Sequence, residues 1–188
     1  MEMLIVGLVL FLGIHLVPAI PEVRNILVVS LGEKRYKIAF AFVSAAGLVL
    51  IAWGYARAPS GPRFFIPFVG AIHAAPLAMT VSFVLLAAAN MKTRIRLALK
   101  HPMLIGVGIW ALTHLLANGS AKATLLFGSF LAYAAIDLVS ARSRNSNRTF
   151  QPVPKMDLIA IGAGIVLALL VMTLHRLIFG VRVVPWGI

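Results

Sequence analysis

Residues 158–180, LIAIGAGIVLALLVMTLHRLIFG, decide the fold class of this chain. The stretch is 23 residues long, and its only ionisable side chains, His175 and Arg176, lie near its end. A helix of about 20 mainly apolar residues crosses the hydrocarbon core of a bilayer. The stretch therefore predicts a transmembrane helix.

Five more apolar segments precede it, at residues 3–20, 37–55, 64–89, 102–117 and 123–141. The chain is 61% hydrophobic and 12% charged, with a mean hydropathy of +1.00, which excludes a disordered chain and an ordinary soluble domain. We predict an all-α, polytopic membrane helical bundle of about six transmembrane helices, forming a single domain over residues 1–188. The fourth segment is short and is expected to be buried in the bundle. The third is long, and Pro67 and Pro76 are expected to kink it.

Lysine and arginine are concentrated in the loops after the first, third and fifth segments. These loops hold 12 of the 17 basic residues, and the opposite side holds five. Since basic residues favour the cytoplasmic side, both termini are predicted to be non-cytoplasmic, in a multi-pass protein of the bacterial inner membrane. This distribution accounts for the net charge of +12 without a nucleic-acid partner. The acidic start, Met1-Glu2, argues against a cleaved signal peptide, so the first segment should remain as a helix.

Two further features bear on packing and on chemistry. The chain has no cysteine, which excludes disulfides, zinc fingers, thiolate haem ligation and iron–sulfur clusters. Residues 143–154 are predicted to form a flexible cytoplasmic loop. Small residues permit close helix approach, and the candidates are Gly47, Gly106, Gly108, Gly128, Gly162 and Gly164.

The histidines are the candidate functional residues. His15, His73, His114 and His175 lie inside apolar segments, and His101 stands at the edge of one. An ionisable group at membrane depth is costly, so each is a functional hypothesis. Imidazole is also the commonest metal ligand in proteins.

Helical spacing separates these histidines. Trp110, His114 and Asn118 are four residues apart and should share one helix face. His101 lies thirteen positions before His114, which turns it to nearly the opposite side. His175 precedes Arg176 near the outer boundary, where both side chains can extend towards the headgroups.

Depth favours His15 as the partner of His114. Counted along their helices, the two backbones differ in height by about 8 Å, a gap that two side chains could span around a large planar ligand. His73, in a similar Ile-His-x-x-Pro pattern, is nearer in height and remains a second candidate. Two histidines on separate helices, among aromatic and small residues, match a haem held in a helical bundle.

Three motifs carry a family resemblance. Gly-x-His-x-x-Pro at 13–18, His-Pro-x-x-x-Gly at 101–106 and Trp-x-x-x-His-Leu-x-x-Asn-Gly at 110–119 resemble the NnrU family. That family takes its name from a denitrification-associated membrane protein and includes the plant 15-cis-zeta-carotene isomerases. The resemblance implies a membrane protein that binds haem b. It also implies His15 and His114 as the axial ligands of the haem iron.

The two branches of the family imply different roles. The isomerase branch implies redox-dependent cis–trans isomerisation of a hydrophobic, carotenoid-like small molecule. The NnrU branch implies a role linked to nitrite and nitric oxide reduction. Whether the chain is an enzyme is left open by the sequence; if it is one, the resemblance implies a haem-dependent isomerase of the zeta-carotene isomerase type.

Two alternatives belong to other classes. Residues 100–106, KHPMLIG, are similar to the Arg-His-Pro-x-Tyr-x-Gly segment of isoprenylcysteine-type methyltransferases, which use S-adenosylmethionine. Lys100 and Leu104 depart from that pattern, and the only acids in the C-terminal half are Asp137 and Asp157. The other alternative is a non-catalytic membrane assembly factor whose histidines only form hydrogen bonds between helices.

Overall fold

The computed structural model describes residues 1–143 and 150–187, and its regular structure is helical. The loop predicted at 143–154 lies partly outside the described residues, at 144–149. The helices are α1 Glu2–Leu16, α2 Pro21–Leu31, α3 Glu33–Arg57, α4 Val69–Ala89, α5 Arg94–Leu99, α6 Pro102–Ala117, α7 Ala121–Ser143 and α8 Pro154–Phe179. A short 3-10 turn, Val17–Ala19, extends α1.

The predicted all-α membrane class is confirmed. Five helices in the described part of the chain are long and apolar enough to cross a membrane: α1 with its 3-10 turn, α3, α4, α7 and α8. The fourth apolar segment, which forms α6, has the predicted bounds and only 16 residues. The count of about six therefore corresponds to five long helices and one shorter one.

The helices pack in the order α3, α1, α7, α6, α4, α8. Helix α1 lies along α3, α6 packs on both α7 and α4, and α4 also packs on α8. The contact of α1 with α7 is much less extensive than these others. We call it the α1–α7 seam, and it joins two groups of helices.

The third segment is not one long helix. Helix α4 begins at Val69, and residues 64–68 are not helical, so Pro67 lies before the helix and does not kink it. A proline disfavours helical geometry in the residue before it, which explains this late start. Only Pro76 lies inside α4. The predicted segment is longer than α4 because it includes the non-helical residues 64–68.

Two short helices, α2 and α5, were not predicted. Helix α2 follows the 3-10 turn and ends at Gly32, whose φ is 78°. Helix α5 is held at its start by two side chains: Thr93 Oγ1 accepts from Arg96 N–H at 3.0 Å, and Asp157 Oδ1 accepts from Arg94 N–H at 2.8 Å. Asp157 thereby joins α5 to α8.

Half of the six candidate glycines allow close helix approach. A Cβ at Gly47, Gly106 or Gly164 would meet a neighbouring helix within about 3 Å, whereas Gly108, Gly128 and Gly162 have nothing within 4 Å. The prediction is wrong for these last three, because composition does not say which side of a helix meets a neighbour. Gly7 and Gly54, which were not predicted, form part of the α1–α3 contact.

Gly164→Ala is expected to destabilise the bundle, and Gly162→Ala is its matched control. A Cβ at Gly164 would lie 2.5 Å from Val84 Cα on α4, so α4 and α8 would have to separate. Overpacking of this kind costs about 1–3 kcal/mol. The free energy of unfolding in SDS titration should fall by that amount for Gly164→Ala and stay level or rise slightly for Gly162→Ala. Equal effects of the two substitutions would contradict the close α4–α8 contact.

Candidate functional site

His15 and His114 lie on the two helices that flank α7. His15 Nδ1 is 2.6 Å from the Phe11 carbonyl oxygen, and His114 Nδ1 is 2.9 Å from the Trp110 carbonyl oxygen. A carbonyl can only accept, so Nδ1 carries the proton in both rings and Nε2 keeps its lone pair. This is the arrangement found in metal-binding histidines, whose second ring nitrogen donates to a carbonyl or carboxylate. Each ring is therefore a suitable donor for iron.

Three aromatic residues on α7 lie along the helix between its contact with His114 and its contact with His15. Phe127 stacks on His114 with centroids 4.8 Å apart, and Tyr133 meets the His15 ring edge-on at 6.2 Å. Phe130 lies between them. Tyr133 lies six positions after Phe127, so these two contacts are about 9 Å apart along the axis of α7. The height difference of about 8 Å between the two histidine backbones stays a prediction.

The rings between the two histidines form a continuous series of contacts. Phe11 packs on His15 at 4.2 Å and on Phe130 at 5.7 Å, and Phe130 packs on Trp110 at 5.3 Å. Trp110 in turn contacts His114 at 5.4 Å. These rings fill the space across the α1–α7 seam. The donor atoms fit a haem iron, and the pairing of both histidines on one iron requires the Phe11 and Phe130 rings to move aside.

The predicted shared face of α6 holds for Trp110 and His114 and is wrong for Asn118. Helix α6 ends at Ala117, and Asn118 is extended, with φ −146° and ψ 106°. Its Oδ1 accepts from Ser120 N–H at 3.1 Å. Because the helical spacing stops one residue earlier, Asn118 shapes the turn into α7 and does not continue the face.

That turn is fastened to the chain between α3 and α4. Phe64 N–H donates to Gly119 O and Ala121 N–H to Pro62 O, each at 2.9 Å. A Cβ on Gly119 would overlap the Phe65 carbonyl oxygen. The Asn-Gly part of the third motif thus fixes the end of α6, three residues after His114.

Lys122, at the start of α7, also binds the chain at the end of α3. Its Nζ donates to Tyr55 O at 3.3 Å and to Ala58 O at 3.1 Å, at the C-terminal end of α3. The ammonium also lies 4.8 Å from the Tyr55 ring centroid. A cation at a helix C-terminus is favourable because the last carbonyls carry partial negative charge. Helices α3 and α7 are therefore tied together beside the turn.

The other histidines take different places. Ser82 on α4 donates to Gly106 O of α6 at 2.8 Å, and His73, nine residues earlier, is turned about 180° from it. His73 is accordingly exposed on the side of α4 away from α6, so the structure does not bring this second candidate to His114. His101 is the residue just before α6 and lies far along the helix from His114, and its side chain makes no capping hydrogen bond there.

His175 lies near the C-terminal end of α8 and contacts the segment that follows this helix. Its Nδ1 lies 2.8 Å from Val181 O. That His175 and Arg176 extend towards the headgroups stays a prediction. Among the described residues, no three potential ligands converge on a metal ion.

Tyr133 and Asp137 were not singled out as site residues. Tyr133 donates its hydroxyl to Asp137 Oδ2 at 3.4 Å, one helical turn along α7, beside His15. The spacing of Phe127, Phe130 and Tyr133 could have indicated an aromatic face on α7. It would not have shown that this face meets both histidines.

The family model described as NnrU protein matches residues 3–183, nearly the whole chain. No curated protein and no solved structure matches it.

Proposed function

The chain belongs to the NnrU family, and from this premise we propose that it is a haem b-binding protein of the bacterial inner membrane. His15 and His114 would be the axial ligands of the haem iron, through Nε2 of each ring. Trp110 would pack against the cofactor beside His114. Haem would supply a redox-active iron within the membrane.

The observation that most supports this proposal is that the two histidine rings make the same hydrogen bond. Each donates Nδ1–H to a carbonyl four residues earlier in its own helix, which leaves Nε2 as an acceptor. The rings lie on the two helices that flank α7, among aromatic side chains able to pack on a porphyrin. The α1–α7 seam is much less extensive than the α1–α3, α6–α7, α4–α6 and α4–α8 contacts, so side chains can move there at a lower cost than within those contacts.

Two roles fit a haem protein of this kind. One is a function linked to nitrite and nitric oxide reduction, and the other is redox-dependent isomerisation of a hydrophobic, carotenoid-like molecule. Both would use an iron whose potential depends on its axial ligands and on the apolar surroundings. If the chain is an enzyme, the second role makes it a haem-dependent isomerase.

Spectra of the purified protein test the proposal. Protein from haem-supplemented bacterial cells is expected to show a Soret band, with the sharp α and β bands of a six-coordinate haem after reduction. A pyridine haemochrome assay should give about one haem b per chain. A colourless, folded preparation would contradict haem binding and favour an assembly factor.

We expect no binding of S-adenosylmethionine. Asp157 is engaged by the backbone of α5, through Arg94 N–H at 2.8 Å. Lys100 adopts a positive φ of 60° in the turn between α5 and α6, and His101 follows it as the residue just before α6. The KHPMLIG segment thus has a structural role here. Isothermal calorimetry should show no heat of binding, and a saturable signal would revive the methyltransferase alternative.

A further inference from the structure

A cavity of about 210 Å³ lies beside α2, at the end of the bundle where the sequence places the cytoplasm. It is lined by Pro18 of the 3-10 turn, Arg24 of α2, and Tyr36, Lys37 and Phe40 of α3. Three of these side chains are apolar or aromatic and two are cationic. The cavity therefore combines apolar walls with positive charge.

The charges around the cavity are mainly basic. The Arg24 guanidinium lies 6.0 Å from the Tyr36 ring centroid. Lys37 Nζ is 2.7 Å from Glu33 Oε1, in a pair whose side chains are about two-thirds exposed. Lys34 and Arg35 stand on the same first turn of α3. Two carboxylates, those of Glu22 and Glu33, among four cations leave a net positive charge that favours an anion.

Helix α2 indicates the depth at which the cavity opens. It connects two membrane-spanning helices, α1 and α3, so it lies at a bilayer surface. Val23, Ile26 and Val29 follow at three-residue spacing and are 39%, 66% and 85% exposed. A helix with such an apolar stripe lies in the interface, with the stripe among the upper acyl chains. The cavity then opens at the level of the lipid headgroups.

We propose that this cavity binds the phosphodiester headgroup of an anionic glycerophospholipid. The phosphate accepts hydrogen bonds from Arg24 and Lys37, since a guanidinium fork matches phosphate geometry and a lysine adds a mobile positive charge. The glycerol packs against Tyr36 and Phe40, and the acyl chains follow the apolar stripe of α2. Basic segments next to membrane helices attract anionic lipids of the cytoplasmic leaflet, which agrees with this placement.

The lipid site adjoins the proposed haem site but does not depend on it. Phe40 lines the cavity and also contacts the His15 ring, with centroids 5.1 Å apart. A bound headgroup would therefore sit against the wall that supports His15. Lipid binding can be measured in protein with or without haem.

Native mass spectrometry of the delipidated protein provides the test. The wild-type protein is incubated with equal amounts of phosphatidylglycerol and phosphatidylcholine that carry the same acyl chains. We expect preferential retention of phosphatidylglycerol, and a loss of affinity of about 30-fold in the double variant Arg24→Ala/Lys37→Ala. The matched control, Lys34→Ala/Arg35→Ala, removes the same charge from the same loop outside the cavity and should retain the lipid.

Three results would overturn the proposal. The first is equal retention of the two lipids by the wild-type protein, which needs no variant and stands even if the double variant does not fold. The second is an equal loss of phosphatidylglycerol in both double variants, which would indicate a diffuse surface charge. The third is displacement of the lipid by an excess of inorganic phosphate, which would assign the cavity to a free phosphate.

Discussion

Purified His114→Ala protein is expected to lose the haem Soret band of the wild-type protein. His114 is the better fixed of the two proposed ligands, because Phe127 stacks on its ring and the Gly119 turn holds the end of its helix. Its removal leaves only His15 of the proposed pair. His15→Ala should give a five-coordinate spectrum or a reduced haem content, since one ligand remains.

His73→Ala is the matched control for this experiment. His73 is exposed on the side of α4 away from α6, so the spectrum of this variant should equal that of the wild-type protein. Circular dichroism melting would verify that all three variants keep the helical fold. Full haem content and unchanged bands in both His114→Ala and His15→Ala would remove this pair as the ligands. A loss of the Soret band in His175→Ala equal to that in His114→Ala would instead indicate His114 and His175 as the two ligands.

Gly119→Ala is expected to destabilise the bundle strongly. The new Cβ would overlap the Phe65 carbonyl oxygen, so the two backbones must separate. Separation breaks the hydrogen bonds at Phe64 N–H and Ala121 N–H, each 2.9 Å long. Lost hydrogen bonds of about 1 kcal/mol each, added to overpacking, predict a fall of about 3 kcal/mol in the free energy of unfolding.

Gly108→Ala offers the control for Gly119→Ala. A Cβ at Gly108, inside α6, meets nothing within 4 Å, and alanine favours the helix by up to about 1 kcal/mol. SDS titration should therefore separate the two variants by several kcal/mol. If Gly119→Ala unfolded at the same SDS fraction as the wild-type protein, the backbone contact of this turn with Phe65 would be disproved. Where haem is bound, Gly119→Ala should also weaken it, because the end of α6 would shift.

Much of the fold was predictable because each apolar segment carries its own signal. The bounds of α6, 102–117, follow from a proline that starts a helix and an Asn-Gly pair that ends it. Helices α2 and α5 were missed because they are short and lie within basic loops, where neither length nor apolar composition marks them. The non-helical structure of residues 64–68 was not predicted, because their aromatic side chains are as apolar as the helix that follows.

The candidate site was predictable only in part. The four-residue spacing placed Trp110 beside His114. The same spacing failed at Asn118, since the helix had ended. The lateral order of the helices could not be predicted, so only the structure showed that His73 lies on the side of α4 away from α6.

By itself, the sequence determined that this is an all-α membrane protein of the NnrU family, and which histidines lie at membrane depth. Those properties are local, because hydropathy over about 20 residues and the pitch of one helix specify them. The tertiary structure alone decided that a series of aromatic rings from α1, α7 and α6 lies between His15 and His114, and that a basic cavity opens beside α2. Both depend on which helices become neighbours, and helix packing is set by the fit of whole faces, which no single segment encodes.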